Sequence, residues 1–304
     1  MTNPTPGLTQ ETRIGFIGAG RLATTLAMAL SAAGEHVAGV SSRGDSSARA
    51  LALRCGDAKT IGVFSDKQSL SNACDIVFVT VPDDAIEKVV NEVKWREGQQ
   101  VVHCSAATEV SALDKAAADG ASTGGFHPLQ LFSDPDVAIR HLRGSSVAIE
   151  AQGMLKDTLI RLALLLGMSP IELPIGARGA YHVAANLAAS CLLATLKEAE
   201  DIWTQCGLPQ KQALPALMPL CLGTLAAANQ AGIARAVAGP ISRGDLNVVN
   251  RHLNTLTTQG RDTRFYRELL CRLSEMAQST GRISNDTADQ LTQLLKPESP
   301  ARSR

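Results

Sequence analysis

The chain has 304 residues, of which 45% are hydrophobic, and its 29 lysine and arginine residues balance its 29 aspartate and glutamate residues. This zero net charge offers no basic surface for nucleic acid or for an anionic membrane, so we expect neither partner. No apolar run approaches the ~20 residues of a membrane span. The N-terminal residues lack the layout of a signal peptide, and the seven scattered cysteines form no CxxC pair, so we expect a cytoplasmic protein without a metal site.

Short apolar runs alternate with helical patterns in the first half of the chain. They predict strands at 13–17, 36–40, 75–80, 100–104, 122–126, 145–149 and 169–173, and helices that include 22–33 and 153–166. Strands separated by helices indicate a mostly parallel sheet with crossover connections. The fold class predicted for this half is therefore α/β and Rossmann-type.

Strand patterns disappear after residue 174, where a Pro-Ile-Gly sequence interrupts the pattern. Helices are predicted at 178–206, 211–230, 245–258, 261–279 and 285–295. The predicted organisation is a nucleotide-binding domain at 13–174, followed by an all-α domain for substrate binding and dimerisation at 175–295. The polar ends, 1–12 and 296–304, are predicted to be disordered tails.

A glycine-rich turn follows the first predicted strand. Residues 14–23, IGFIGAGRLA, match G-x-G-x-x-A between a strand and a helix, which is the context that makes this motif specific for a dinucleotide. The first glycine permits a tight turn, the second lets the backbone approach a pyrophosphate, and the helix N-terminus faces the phosphates. The predicted contacts are Gly18, Ala19, Gly20, Arg21 and Leu22.

The end of the second predicted strand indicates which nucleotide is bound. An NAD site usually has Asp or Glu here, whereas this chain has Ser41, Ser42 and Arg43. Two hydroxyl groups and an arginine form a small anion site suited to a 2′-phosphate, with charge-assisted bonds from Arg43. Asp45 is expected to cap the following helix instead of opposing this site. The pattern favours NADP.

Other strand ends should meet at the same edge of the sheet. Val81 and Pro82 follow the 75–80 strand, and Ser105 follows the 100–104 strand, so we predict that all three contact the cofactor. His127 follows the 122–126 strand, and Pro128 stiffens its turn. We predict that His127 lies in the active site. The alternative is that it only stabilises the loop.

The first helix of the C-terminal half carries a polar row. Arg178, His182, Asn186 and Ser190 are four residues apart and share one face of the helix. Reduction of a carbonyl group needs a proton at its oxygen, and an imidazole can supply one near neutral pH. We predict that His182 is the general acid and that Asn186 holds the substrate or the ring, with His127 as the rival donor. Alternatively, the row is a structural seam.

A rigid turn, GPISRGD at 239–245, leads into a later helix. Arg243 in such a turn suits bidentate binding of a carboxylate, so Arg243 and Asp245 are predicted to bind substrate. The alternatives are a surface arginine and a simple helix cap at Asp245.

Four stretches together resemble a bacterial family of predicted NADP-dependent oxidoreductases: GAGRLA at 18–23, GFHPLQLF at 125–132, YHVAAN at 181–186 and AGPISRGDLNVVNRHL at 238–253. The resemblance implies a Rossmann domain and a helical domain of poorly defined function. More distantly, the layout is similar to hydroxyacid dehydrogenases, pyrroline-5-carboxylate reductases, prephenate dehydrogenases and ketopantoate reductases. The hydroxyacid dehydrogenases have Lys-x-x-x-Asn where this chain has His182-x-x-x-Asn186, so their mechanism does not transfer unchanged.

The resemblance and the residues together favour an NADPH-dependent reductase of a small, anionic 2-oxo acid. Ketopantoate is the named candidate, because some members of the nearer family are regarded as alternative ketopantoate reductases. Three alternatives stay open: an imine reductase of the pyrroline-carboxylate kind, an oxidation like that of the prephenate enzymes, and a non-catalytic NADP-binding sensor. The C-terminal helices are so rich in Ala and Leu that we also expect a homodimer.

Overall fold

The computed structural model describes residues 12–55 and 61–296. The tails expected at 1–12 and 296–304 lie outside these ranges, except for residues 12 and 296. The chain divides into two compact units, one ending at Leu192 and the other beginning at Leu193.

A single eight-stranded sheet forms the centre of the first unit, in the order β3-β2-β1-β4-β5-β6-β7-β8. Its neighbouring strands run parallel except for β6 and β7, which are antiparallel. The α/β, mostly parallel prediction is therefore confirmed. Sequence patterns missed only the short, half-buried β3. The bounds are β1 Arg13–Ile17, β2 His36–Ser41, β3 Gly62–Phe64, β4 Ile76–Val79, β5 Gln100–His103, β6 Ser122–Leu129, β7 Ser146–Glu150 and β8 Ser169–Glu172.

Helices cover both faces of this sheet, and successive residues of a strand supply the two apolar layers. In β4, Ile76 and Phe78 pack into one layer, whereas Val77 and Val79 pack into the other. A strand buried on both faces must be apolar throughout, which explains the continuous IVFV sequence. The helices are α1 Arg21–Ala32, α2 Asp45–Arg54, α3 Lys67–Ala73, α4 Ile86–Asn91, α5 Asp114–Ala118, α6 Pro135–Leu142, α7 Gly153–Leu165 and α8 Arg178–Ala188.

The second unit is helical throughout its described residues. Its core includes Val249, Leu253, Leu270 and Leu291, which come from three different helices. The helical character predicted for this half is confirmed. The helices are α9 Ser190–Gln205, which begins just before the division, α10 Gln210–Ala231, α11 Ile233–Ala236, α12 Leu246–Thr258, α13 Arg264–Ser279 and α14 Asn285–Leu295.

The division between the units lies later than the boundary expected at residue 174. The structure keeps α8 with the sheet because Arg178, at the first position of α8, is buried there and paired with Glu150 of β7. The helix expected at 178–206 forms as two consecutive helices, which meet at Ala189 with its distorted helical geometry of φ −112° and ψ −78°.

The stretch Arg178–Gln205 is long and apolar enough to cross a membrane by length and composition, which sequence inspection did not anticipate. One such helix is weak evidence for a membrane span, because core helices of soluble proteins and signal sequences can have the same length and composition.

Candidate active site

A cavity of about 600 Å³ opens at the carboxyl ends of β1, β2 and β4. The order of the strands diverges here, since β1 is followed by β2 on one side and by β4 on the other. Such a switch point is where α/β sheets bind ligands. Of the predicted cofactor contacts, the cavity is lined by Gly18, Ala19, Gly20, Ser41, Ser42, Arg43, Val81 and Pro82, whereas Arg21, Leu22 and Ser105 lie outside its lining.

The two glycines of the turn have different physical roles. Gly18 has φ +109°, and a Cβ atom there would lie 2.6 Å from the carbonyl oxygen of Thr80. Its N–H donates to the Ser41 carbonyl at 2.8 Å, so the turn after β1 is bonded to the end of β2 and packs closely against Thr80 after β4. Gly20 has an ordinary φ of −77°, and a Cβ atom there would meet nothing within 4 Å. That open space precedes the N-terminus of α1 and fits a phosphate group.

Several cations border the cavity. Besides Arg43, its lining includes Lys67 and Lys88, which sequence reasoning missed because neither belongs to a recognised motif. Asp45 is not the helix cap that was expected: it is the first residue of α2 and bonds to Arg49 at 3.1 Å. Because the Asp45 carboxylate is paired with Arg49 on the exposed side of α2, it need not oppose a phosphate beside Arg43.

Replacing Arg43 by Ala is expected to weaken NADPH binding by roughly 10-fold or more, because a charge-assisted bond to the 2′-phosphate is lost. NADH binding should change little. Titration of both nucleotides measures the difference, and Arg140→Ala is the matched control, because Arg140 is exposed on α6 and outside the lining of the cavity. Equal losses for the two nucleotides would remove Arg43 from the phosphate site.

A buried polar row crosses β5, β6 and β7. His103 lies beside Gly125 in register, and Gly125 lies beside Glu150, so their side-chain positions share one face of the sheet. Gly125 leaves a slot in this row, and the guanidinium of Arg178 fills it: a Cβ atom at Gly125 would lie 1.7 Å from Nη2. Arg178 Nε donates to Glu150 Oε2 at 2.6 Å, and Nη1 donates to the Ser105 carbonyl at 2.7 Å.

Arg178 is therefore committed to the sheet. Its side chain is 0% exposed, so it is not available to hold a substrate anion. Ser105 is committed as well, since its hydroxyl oxygen accepts from the backbone N–H groups of Ala107 and Thr108.

His103 completes the row at the end of β5. Its Nδ1 accepts from the backbone N–H of Ser105 at 3.2 Å. Burial, followed by the nearby charge of Arg178, lowers the pKa of His103 from 6.5 to about 3. The ring is neutral at physiological pH, which is compatible with its complete burial.

His127 and Tyr181 form a pair at the same edge of the sheet. His127 lies two residues beyond Gly125 in β6, on the same face of the strand, and its Nδ1 is 2.8 Å from the Tyr181 hydroxyl oxygen. The two rings meet edge to face, with centroids 5.6 Å apart. Both residues belong to the first unit, because α8 packs with the sheet.

The environment keeps this pair uncharged near neutral pH. Burial, followed by the charges of Arg178 and His182, lowers the pKa of His127 to about 4, while Asp83 opposes the shift. Burial raises the pKa of the Tyr181 phenol, so it stays protonated.

His182 and Asn186, the predicted acid and its partner, both lie exposed on α8. Asn186 Nδ2 is 4.0 Å from Cys191 Sγ. The polar row on α8 thus begins at a buried arginine and continues onto an exposed face. Sequence reasoning missed Tyr181 because it lies outside that row, although it directly precedes His182.

The predicted substrate contacts lie in the second unit. Asp245 accepts from the Val248 N–H at 3.1 Å and so caps α12, the simpler of the two roles considered. Arg243 is exposed, in the turn Ile241–Arg243 before that cap. A substrate role for either residue stays a prediction. Across residues 12–55 and 61–296, no three His, Cys, Asp or Glu side chains cluster as metal ligands would.

Comparison with known families agrees with this organisation. Residues 13–107 match a family described as "NADP oxidoreductase coenzyme F420-dependent", and this region contains the whole cavity. Residues 145–272 match a domain of unknown function, DUF2520. No curated protein sequence matches the chain.

Solved structures share the fold at low sequence identity. A proposed NADP oxidoreductase from Bacteroides fragilis is 24% identical with a TM-score of 0.67, over 88% of this chain and 99% of that one. A pyrroline-5-carboxylate reductase from Coxiella burnetii is 15% identical, with a TM-score of 0.59 over 94% and 99%.

A reductive aminase from Aspergillus terreus, solved with NADPH and ethyl levulinate, is 18% identical with a TM-score of 0.63, over 94% of this chain and 99% of that one. The predicted kinship with NADP-dependent oxidoreductases, and NADP as the cofactor, are confirmed by the family match. The chain thus combines a region that matches an NADP oxidoreductase family with a later region that matches DUF2520.

Proposed function

We propose that this protein is an NADPH-dependent reductase of a small 2-oxo acid, with ketopantoate as the first candidate. The observation that carries the proposal is the uncharged pair of His127 and Tyr181, at the edge of the sheet on which the cofactor cavity opens. A carbonyl oxygen gains negative charge during reduction, so the site needs a neutral group that donates a proton at physiological pH.

The pair suits this task if Tyr181 is the donor. NADPH bound in the cavity supplies a hydride. The Tyr181 hydroxyl donates its proton to the substrate oxygen, and the neutral ring of His127 donates from Nδ1 to the phenolic oxygen. The positive charge of Arg178, which favours the ionised phenol, stabilises the phenolate that remains.

The proposed proton donor is therefore a tyrosine and not one of the two histidines predicted from the sequence. His127, with a pKa of about 4, is almost entirely neutral at physiological pH, so it can donate a hydrogen bond but has no imidazolium proton to transfer. His182, the donor expected from the sequence, follows Tyr181 on α8 and remains the competing candidate. Substitutions of Tyr181 and His182 distinguish the two assignments.

Reduction of a C=N bond is the second candidate. It is favoured by the fold shared with a pyrroline-5-carboxylate reductase and a reductive aminase. A protonated imine already carries positive charge and needs less help from a proton donor. The tyrosine–histidine pair therefore supports the carbonyl substrate more strongly.

The deciding experiment follows NADPH consumption by the purified protein with a panel of 2-oxo acids, cyclic imines and oxidised coenzyme F420. Turnover of 2-oxo acids supports the proposal, whereas turnover of imines alone supports the second candidate. Consumption with coenzyme F420 alone would assign it as the redox partner. Reduction of NADP⁺ by a hydroxyl substrate would point to the oxidation, and tight NADPH binding without any turnover would indicate a sensor.

We also propose that the protein is a homodimer through α9 and α10. Ala213 is the one buried residue of α10, all of whose residues are described, while Leu220 is 68% and Leu225 55% exposed. Residues 212–231 include no charged side chain, so this surface cannot form ion pairs with a charged partner. An uncharged apolar surface can instead pack against the same surface of a second copy. Continuous exposed apolar surfaces mark interaction sites, and two-fold pairing is the commonest arrangement of identical subunits.

Sedimentation at micromolar concentration is expected to give the mass of two chains. Leu220→Glu should give one chain, because it introduces a charge into the apolar contact. Leu53→Glu is the matched control, since Leu53 is 84% exposed on α2 and outside this surface, and should leave the dimer intact. A wild-type mass of one chain would contradict the proposal.

A further inference from the structure

The slot at Gly125 suggests a role for Arg178 beyond stability. We propose that Arg178 is a positioning residue, which fixes α8 on the sheet through this slot and thereby places the Tyr181 hydroxyl against His127. The inference deepens the proposed function and rests on it for the turnover measurement alone.

The guanidinium group of Arg178 is fixed by three neighbouring parts of the sheet. It bonds to Ser105 after β5, lies over Gly125 of β6 and pairs with Glu150 of β7. A guanidinium is planar and presents its donors in a rigid fork, so these contacts determine both its position and its orientation. Nη2 makes no hydrogen bond within the described part of the chain, so its role here is steric fit against the glycine.

The buried Arg178, which we call the anchor, and the His127–Tyr181 pair are coupled through two rigid elements, α8 and β6. Tyr181 lies three residues after Arg178 on α8, a distance of about 4.5 Å along the helix axis. His127 lies two residues after Gly125 on β6, about 6.6 Å along the strand. Both steps run along one face of their element, so a shift at the anchor is transmitted to the His127–Tyr181 hydrogen bond. A side chain at residue 125 would cause such a shift.

The anchor also contributes charge to the site. The groups that influence His127 are the positive charge of Arg178, the ring of His182, the carboxylate of Asp83 and the bonded Tyr181 hydroxyl. Moving the guanidinium away removes a positive charge from the ring's surroundings. The imidazolium form then becomes easier to reach, so the pKa of His127 should rise towards its ordinary value.

The central test is Gly125→Ala, which keeps the arginine but fills its slot. We expect kcat to fall roughly 10²-fold, the scale of a displacement of about 1 Å in an active site. The KM for NADPH should stay unchanged, because the cavity does not include residue 125. NMR titration of the free protein measures the pKa of His127, whose ring signal is identified by its absence in His127→Gln. This pKa should be higher in Gly125→Ala than in the wild type.

Two further variants separate positioning from general damage. Gly15→Ala is the matched control: this glycine lies in β1, and its Cβ would lie 2.5 Å from Cys74 Sγ, away from the guanidinium and its partners. It should strain the sheet but keep the His127 titration and the turnover at saturating NADPH. In an Arg178→Lys background, Gly125→Ala should add no further loss, because lysine has no Nη2 to collide with the new methyl group.

An unchanged kcat and an unchanged His127 titration in Gly125→Ala would overturn the proposal. So would equal damage to the turnover and the titration from Gly15→Ala, or losses that simply add in the double variant. If Gly125→Ala does not fold, the titration and turnover of Arg178→Lys decide, and wild-type values there overturn the proposal. If the wild-type protein turns over no substrate, the proposed function fails while the titrations still decide the role of Arg178.

Discussion

Replacing Tyr181 by Phe is expected to lower kcat by roughly 10²- to 10⁴-fold, the usual scale for loss of a general acid. The substitution removes only the hydroxyl oxygen, which lies 2.8 Å from His127 Nδ1, and keeps the aromatic ring that packs against that histidine. The Kd for NADPH should barely change, because Tyr181 lies outside the lining of the cavity. Single-turnover kinetics and nucleotide titration measure the two quantities separately.

Two histidine variants test whether Tyr181 or His182 is the proton donor. His127→Ala should also lower kcat, because the phenolic oxygen loses its hydrogen-bond partner. His182→Ala should keep most of the turnover, since His182 is exposed. If His182→Ala abolishes turnover while Tyr181→Phe retains it, the proton comes from His182, as the sequence alone suggested.

Replacing Gly18 by Ala is expected to lower both the thermal stability and the affinity for NADPH. The positive φ of Gly18 disfavours any side chain by about 1–3 kcal/mol, and the new Cβ would press against the Thr80 carbonyl. Because the Gly18 N–H also bonds to Ser41, the strain should spread to the strand end that precedes Arg43. Calorimetry and nucleotide titration test the two effects.

Gly20→Ala provides the contrast, because its Cβ would meet no protein atom within 4 Å. We expect wild-type thermal stability but much weaker NADPH binding, since the methyl group would occupy the space left for a phosphate. Unimpaired NADPH binding in Gly20→Ala would mean that the phosphates lie elsewhere.

The fold was largely predictable because its determinants are local. Apolar runs such as IVFV and the G-x-G-x-x-A turn depend on residues close together in the chain, and the structure has a strand or a turn at each. The antiparallel direction of β7 was not predictable, because both directions bury the same apolar residues. Nor was the short β3, whose three residues are only half-buried.

The candidate site was less predictable, since it depends on which strands are neighbours. The cofactor end followed from one motif and one strand end. The slot at Gly125 exists only because β6 places that glycine between His103 and Glu150. A row of residues on α8 drew attention to the helix that also carries Tyr181, but the neighbouring strands determine that Arg178 is buried against Gly125 and that Tyr181 meets His127.

The order of the strands has a consequence for how the chain folds. Every strand from β5 to β8 pairs with the strand made just before it, so this side of the sheet can grow step by step as the chain leaves the ribosome. Only the pairing of β1 with β4, which aligns Ile14 with Ile76, must close a long loop. The nucleotide cavity lies at that joint and forms only once the loop has closed. Bound NADPH would therefore stabilise the finished fold alone and not a chain in which this pairing is still missing.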